Sequence, residues 1–179
     1  GGLLHVTGHK WREPVTGLLE MDPGTSKPAY RSGDHCGAPW HSRFGCEDLG
    51  KRNVRISNTY TAVAKPDNRI ILAHHTRYCP AVHLRNSEEL VLSNVNIHQA
   101  LAMGVIATRC KDIAIDHLSV TPRKGEGLLY STCADATHFV NCRGLVQMRD
   151  CLFEYQLDDA TNIHGVYAKV EDMLSADTL

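Results

Sequence analysis

The 179-residue chain has no surplus of either charge: 19 lysines and arginines face 20 aspartates and glutamates. Without a broad basic field there is nothing to hold a nucleic-acid backbone, and without an acidic tail there is no compositional sign of disorder. A small neutral partner fits better. Long apolar runs are missing too, the longest, such as Leu101 to Ala107, falling far short of the roughly 20 residues that a membrane span needs, so no membrane insertion is expected. No charged segment followed by an apolar one marks a secretory leader. The seven cysteines include no Cys-x-x-Cys pair and no zinc-like spacing, which leaves buried apolar thiols as the expectation. Cys36 and Cys46 lie in a loop-like region and could pair in an oxidising compartment, while Cys110 and Cys133, 23 residues apart, could stack on one another in a core.

The chain opens Gly1-Gly2-Leu3 without an initiator methionine and stops in mid-pattern at Leu179, so a fragment of a longer protein is expected. Residues 1–50 are rich in glycine and proline, show no sustained alternation, and read as an irregular, loop-rich N-terminal part. His35, Cys36 and His41 collect there with Asp34, but their irregular spacing favours a surface loop over a metal site. Residues 51–179 differ. Short apolar runs such as Asn53-Val54-Arg55-Ile56, Arg69-Ile70-Ile71-Leu72 and Ala81-Val82-His83-Leu84 are strands rather than helices, and their close spacing predicts an all-β fold.

A repeat narrows the choice. Glu89 to Ile97 aligns with Asp112 to Val120 at a separation of 23, matching Leu90 with Ile113, Leu92 with Ile115, Val95 with Leu118 and Ile97 with Val120. A third copy, Val146 to Phe153, lies 33 residues after the second, so about ten residues are inserted within 121–145. Two short strands per period, with a polar corner between them at Asn94, His117 and Asp150, predict a parallel β-helix or related solenoid of about 23 residues per coil. A propeller blade would need about 40 residues, and a leucine-rich repeat would show a helical half.

On such a scaffold, residues one period apart become neighbours. Cys133-Ala134-Asp135-Ala136-Thr137 and Leu157-Asp158-Asp159-Ala160-Thr161 share an Asp-Ala-Thr triplet at a separation of 24, which predicts Asp135 and Asp159 on adjacent rungs with Asp158 beside them. Carboxyls this close cannot all ionise freely, so one should hold a proton near neutrality. A protonated acid beside ionised partners is the equipment for glycosidic bond cleavage. Two plainer readings compete: aspartates at corners satisfy backbone N–H groups, and stacked aspartates also suit a hard cation such as calcium. Glu126, Tyr130, His138, Asn162 and His164 are candidates to hold a sugar, with Glu154, Tyr155 and Tyr167 nearby. Of the adjacent pair His74 and His75, at most one could face the aspartates from a strand.

Three motifs carry a family resemblance: Arg69 to Ala81 with its His74-His75-Thr76-Arg77-Tyr78 core, Ala134 to Cys142, and Asp158-Asp159-Ala160-Thr161-Asn162-Ile163-His164-Gly165. Together they resemble the alpha-1,3-galactosidases of glycoside hydrolase family 110, over roughly Arg69 to Tyr167. That resemblance implies a right-handed parallel β-helix and metal-independent, cofactor-free hydrolysis with inversion. It implies terminal alpha-1,3-linked galactose as the substrate, as in the blood-group B determinant, so the partner would be a galactose-terminated oligosaccharide or glycan. It also implies Asp158 as general acid, with Asp135 and Asp159 handling water. A secreted or periplasmic setting is expected. The alternatives are a polysaccharide lyase, for which Arg143 and Arg149 would be the basic residues, and a non-catalytic glycan-binding β-helix or adhesin.

Overall fold

The 23-residue apolar frame becomes a set of parallel ladders in the structure, a computed structural model that describes residues 2–5, 17–29, 45–57, 65–73, 77–171 and 175. Two compact units divide the chain, Gly1–Tyr78 and Cys79–Leu179. Among the described residues all regular structure is β-strand, and most of the ladders are parallel.

The first unit is antiparallel. Strand β1 (Gly2–His5), β2 (Gly17–Asp22), β3 (Lys27–Pro28), β4 (Gly45–Asp48), β5 (Asn53–Ser57) and β6 (Arg69–Ala73) form two sheets, ordered β1-β5-β4 and β3-β2-β6. The alternation in β5 is real: Val54 and Ile56 are buried and Arg55 is exposed. Two expectations differ here. The segment taken as irregular contains four strands, and β5 and β6, taken as coils, pair antiparallel with β1, β4 and β2. Strand β2 escapes a periodicity test because Leu19, Glu20 and Met21 are buried in succession. The Glu20 carboxylate is tolerated inside because Lys65 N (2.8 Å) and Asn68 Nδ2 (2.5 Å) both donate to it. The Asp34–His41 cluster, Cys36, the Cys46 side chain and His74 to Thr76 lie outside what the structure describes.

The second unit carries the repeat. Its strands are β7 (Val82–Arg85), β8 (Glu88–Ser93), β9 (Asn96–Ile97), β10 (Val105–Thr108), β11 (Lys111–Asp116), β12 (Ser119–Val120), β13 (Thr137–Val140), β14 (Arg143–Arg149), β15 (Leu152–Phe153) and β16 (Thr161–His164). They build three parallel ladders, β7-β10-β13-β16, β8-β11-β14 and β9-β12-β15, so each strand pairs with the one three places later. The register is the sequence frame: Leu90 faces Ile113, Leu92 faces Ile115 and Ile97 faces Val120. The third copy follows 33 residues on, with Ile113 opposite Val146 and Val120 opposite Phe153.

Corners between ladders need a backbone that turns sharply. Asn94, His117 and Asp150 supply it with φ of 56°, 52° and 50°, and Asn86, Arg109 and Asn141 do the same one corner earlier. Asn and Asp accept this left-handed region more readily than most residues, which is why the repeat reads as apolar strands broken by polar corners. The ten extra residues fall in two places. Ala100 bridges Thr132, a separation of 32, which puts nine of them before Thr132, and the tenth is a bulge opposite Asp112. There Gly144 has φ +72°, and an added Cβ would come within 2.1 Å of Asp112 Oδ1, the atom that accepts Leu145 N at 2.9 Å.

Inward side chains of the middle pass make the core: Val105, Ala107, Cys110, Ile113, Ile115, Leu118 and Val120 are buried, with Phe139 and Ala136 above them. The neighbouring passes contribute half-buried partners such as Leu84, Leu92, Met148 and Phe153. No pass buries its own apolar face, and each fully buried Val, Leu, Ile or Phe contributes about 1.5–3 kcal/mol through its neighbours. The expected Cys110–Cys133 stack is not formed. The insertion moves Cys133 beside Ala100, and Cys110 lies opposite Cys142, whose Sγ meets Ala107 O at 3.5 Å. Among the cysteines the structure describes, Cys110 is buried and Cys133, Cys142 and Cys151 are half-buried, but Cys79 is exposed.

Gly104 sits where passes approach closely: its N–H donates to Asp135 O (3.0 Å), and a Cβ would lie 2.5 Å from Ala136 O and 3.3 Å from Val120. Gly104→Ala is expected to cost about 1–3 kcal/mol through overpacking. Thermal unfolding measures this, with Gly165→Ala, which has open space around it, as the control. An unchanged midpoint for Gly104→Ala would contradict the close approach.

Candidate active site

The Asp-Ala-Thr triplets owe their alignment to what each residue does. Thr137 and Thr161 face each other in β13 and β16 with hydroxyls 2.9 Å apart, and Ala136 is fully buried behind them. Ala136 N donates to Asp159 O (2.9 Å) and Thr137 N to Ala160 O (3.2 Å), which carries the ladder past the strand ends to the acids. Further back, Ser131 N donates to Tyr155 O (2.9 Å) and Leu157 N to Thr132 O (3.0 Å). The fully buried side chains of Ser131 and Thr132 bond Glu154 O (2.7 Å) and Ala134 O (2.6 Å). The segments before both acids are therefore fixed by backbone pairing.

That pairing brings Asp135, Asp158 and Asp159 together, with one carboxylate oxygen from each lying within 4.8 Å of the others. Two full charges at that separation repel by about 3 kcal/mol at an effective dielectric near 20, before the screening that exposure of Asp158 and Asp159 brings. The three environments differ. Asp135 is 2% exposed and follows Ala134, which forms a buried apolar cluster with Ala102 and Met103 against which Ile106 packs. Asp158 and Asp159 are exposed, joined by Asp159 N donating to Asp158 Oδ1 (3.1 Å), and the Asn162 amide donates to Asp159 Oδ2 (3.3 Å). Carboxyls in unlike surroundings can take unlike protonation states, the condition for acid and base roles.

The surrounding residues sort themselves by their partners. His138, 8% exposed, gives Nδ1 to Asp135 Oδ2 and sets Nε2 2.9 Å from His164 Nε2. Both of its ring nitrogens are thus engaged by side chains of the acid region. His164 Nδ1 lies 2.7 Å from Gly165 O, and its ring stacks on exposed Tyr167 with centroids 5.8 Å apart. Asn162 touches the acid cluster as described. Tyr130 is half-buried, and burial, followed by the nearby Cys133, pushes its phenol above the ordinary tyrosine range and keeps it a hydroxyl donor at neutral pH. Glu126 sits in the nine-residue insertion and pairs with Arg123 at 3.0 Å.

Sequence reasoning missed two features of this region. Met103 and Ile106, of which Ile106 lies opposite His138, belong to a stretch, Leu101 to Ala107, that reads only as an apolar run too short to span a membrane. Gln156, two residues before Asp158, has a buried Oε1 without a hydrogen-bond partner, a lack that no spacing signals. Such an acceptor costs about 1–3 kcal/mol until a donor meets it.

No family model matches the chain. Curated relatives do. The chain is 35% identical over 179 residues to the alpha-1,3-galactosidase A of Shewanella woodyi and 32% identical over 179 residues to an alpha-1,3-galactosidase B of Phocaeicola vulgatus. Each alignment covers 99% of this chain and 29% of the relative. The alpha-1,3-galactosidase B of Akkermansia muciniphila is 29% identical over 173 residues, covering 96% of this chain and 21% of the relative. The similarity thus reaches the first unit as well as the Arg69 to Tyr167 stretch that carries the motifs, although the chain spans less than a third of the length of these relatives. Over nearly its whole length the chain is similar to alpha-1,3-galactosidases.

Proposed function

We propose that the protein is an exo-acting glycoside hydrolase that removes terminal alpha-1,3-linked galactose from oligosaccharides or glycans, the blood-group B determinant among them, with inversion of configuration. The observation that carries this is the meeting of Asp135, Asp158 and Asp159 on adjacent passes in a chain similar to alpha-1,3-galactosidases. Asp158, exposed, is the general acid that protonates the leaving oxygen. Asp135 and Asp159, stacked one pass apart, hold and deprotonate the attacking water. The three ladders are the faces of a right-handed parallel β-helix of about 23 residues per coil, and the setting is secreted or periplasmic. The half-buried Tyr130 and the Asn162 amide are the polar groups offered to sugar hydroxyls, with Glu126 at the rim.

Inverting enzymes separate acid from base by about 6.5–9.5 Å, whereas the nearest oxygens here are within 4.8 Å. The reading therefore assigns the wider spacing to the complex with substrate, in which the exposed Asp158 side chain turns toward the leaving oxygen. Of the two basic residues of the lyase alternative, Arg143 donates from Nη2 to Glu88 Oε1 at 2.6 Å, and exposed Arg149 lies opposite Asp116, both on the β8-β11-β14 ladder.

Time-resolved NMR of the full-length protein on an alpha-1,3-galactobioside is expected to show beta-galactose first. Initial alpha-galactose would refute inversion, and no release would refute the activity. Asp158→Asn is expected to lower kcat by about 10²–10⁴-fold with an unchanged melting temperature. A loss of only a few-fold would remove Asp158 from the acid role.

A further inference from the structure

Behind the three aspartates runs a chain of contacts that the hydrolysis itself does not require: Asp135 Oδ2 to His138 Nδ1, His138 Nε2 to His164 Nε2 (2.9 Å), and His164 Nδ1 to Gly165 O (2.7 Å). Its protons can be counted from donor and acceptor chemistry alone. A backbone carbonyl only accepts, so His164 Nδ1 carries a hydrogen. One hydrogen must lie between the two Nε2 atoms, because neither two lone pairs nor two N–H groups can face each other at that distance. A third lies between His138 and the Asp135 carboxylate. Two neutral imidazoles bring two hydrogens, and the contacts need three. The unit of Asp135, His138 and His164 is therefore electrically neutral, with a carboxylate balanced by an imidazolium.

The surroundings leave the third proton no other origin. In the β10-β13-β16 ladder His138 has Ile106 beneath it and Asn162 above it, neither of them charged. Among the described residues, Asp158 and Asp159 are the acids that meet Asp135. With His164 Nδ1 committed to Gly165 O, a neutral His164 presents a lone pair at Nε2, which draws the hydrogen from His138 and places both N–H groups on that ring. A carboxylic acid is ordinarily the stronger acid, so the hydrogen shared with Asp135 resides on the imidazole.

We propose that His138 and His164 are positioning residues, which hold Asp135 in one orientation as the carboxylate of a carboxylate–imidazolium couple, with His164 locked as the Nδ1–H tautomer by the Gly165 carbonyl. The role in turnover rests on the hydrolase reading above; the proton count does not. Asp159, by contrast, takes only a neutral amide from Asn162. The two stacked carboxylates thus reach the reaction with different charge balance, although the triplet repeat makes them look equivalent.

Nitrogen-15 NMR of the full-length protein labelled in histidine reads the arrangement without any substitution. His138 is expected to show both ring nitrogens protonated and His164 the Nδ1–H form at neutral pH. A singly protonated His138, or His164 as the Nε2–H tautomer, would overturn the proposal whatever the protein's activity. In turnover, His164→Phe is expected to lower kcat by about 10–100-fold with KM within a few-fold, and to abolish the doubly protonated His138 signal. His164→Gln, whose amide oxygen can still accept from His138 Nε2, is expected to recover most of both. A raised KM with kcat retained in either variant would make His164 a substrate contact and overturn the positioning role. Should His164→Phe fail to fold, His164→Gln and the wild-type spectrum decide the question.

Discussion

Everything in the second unit depends on one constraint, the in-register parallel pairing of successive passes. Backbone N–H groups have to find carbonyls on the pass above or below, and the corners at Asn94, His117 and Asp150 let the chain return at the same height each time. With Leu90 opposite Ile113, and Ile113 opposite Val146 after the insertion and the bulge, the interior side chains of three passes align. The same pairing, continued past β13 and β16, sets Asp159 over Asp135. The acid cluster is thus a product of the scaffold's period rather than of any local loop.

The scaffold also explains how a buried carboxylate is tolerated. Asp135 is buried, where an unpaired charge would be expensive, and His138 compensates it from the side. Small residues make room for this arrangement. Gly104 and Ala136 let two passes close at the point where the acid leaves the strand.

Much of this was legible in the sequence because the repeat is exposed in the text itself. The frames Leu90–Ile113 and Ile113–Val146 and the Asp-Ala-Thr pair each give a register that the backbone adopts. What escaped did so for identifiable reasons. Strand β2 carries a buried glutamate and has no alternation, so it hid among glycines and prolines. Cys110 and Cys133 share the repeat separation but not a rung, because a count of residues does not reveal which side of an insertion they fall on. That His138 meets Asp135 with one ring nitrogen and His164 with the other depends on side-chain directions that spacing does not encode.

The central claim is that carboxylates from two passes act as one unit, and a double-mutant cycle addresses it most directly. Asp135→Asn and Asp159→Asn, singly and together, would be compared by kcat in the full-length protein on an alpha-1,3-galactoside. Residues that act jointly give a double variant scarcely slower than the worse single one. Losses that multiply in full would contradict the joint site and leave the stacked aspartates as independent neighbours.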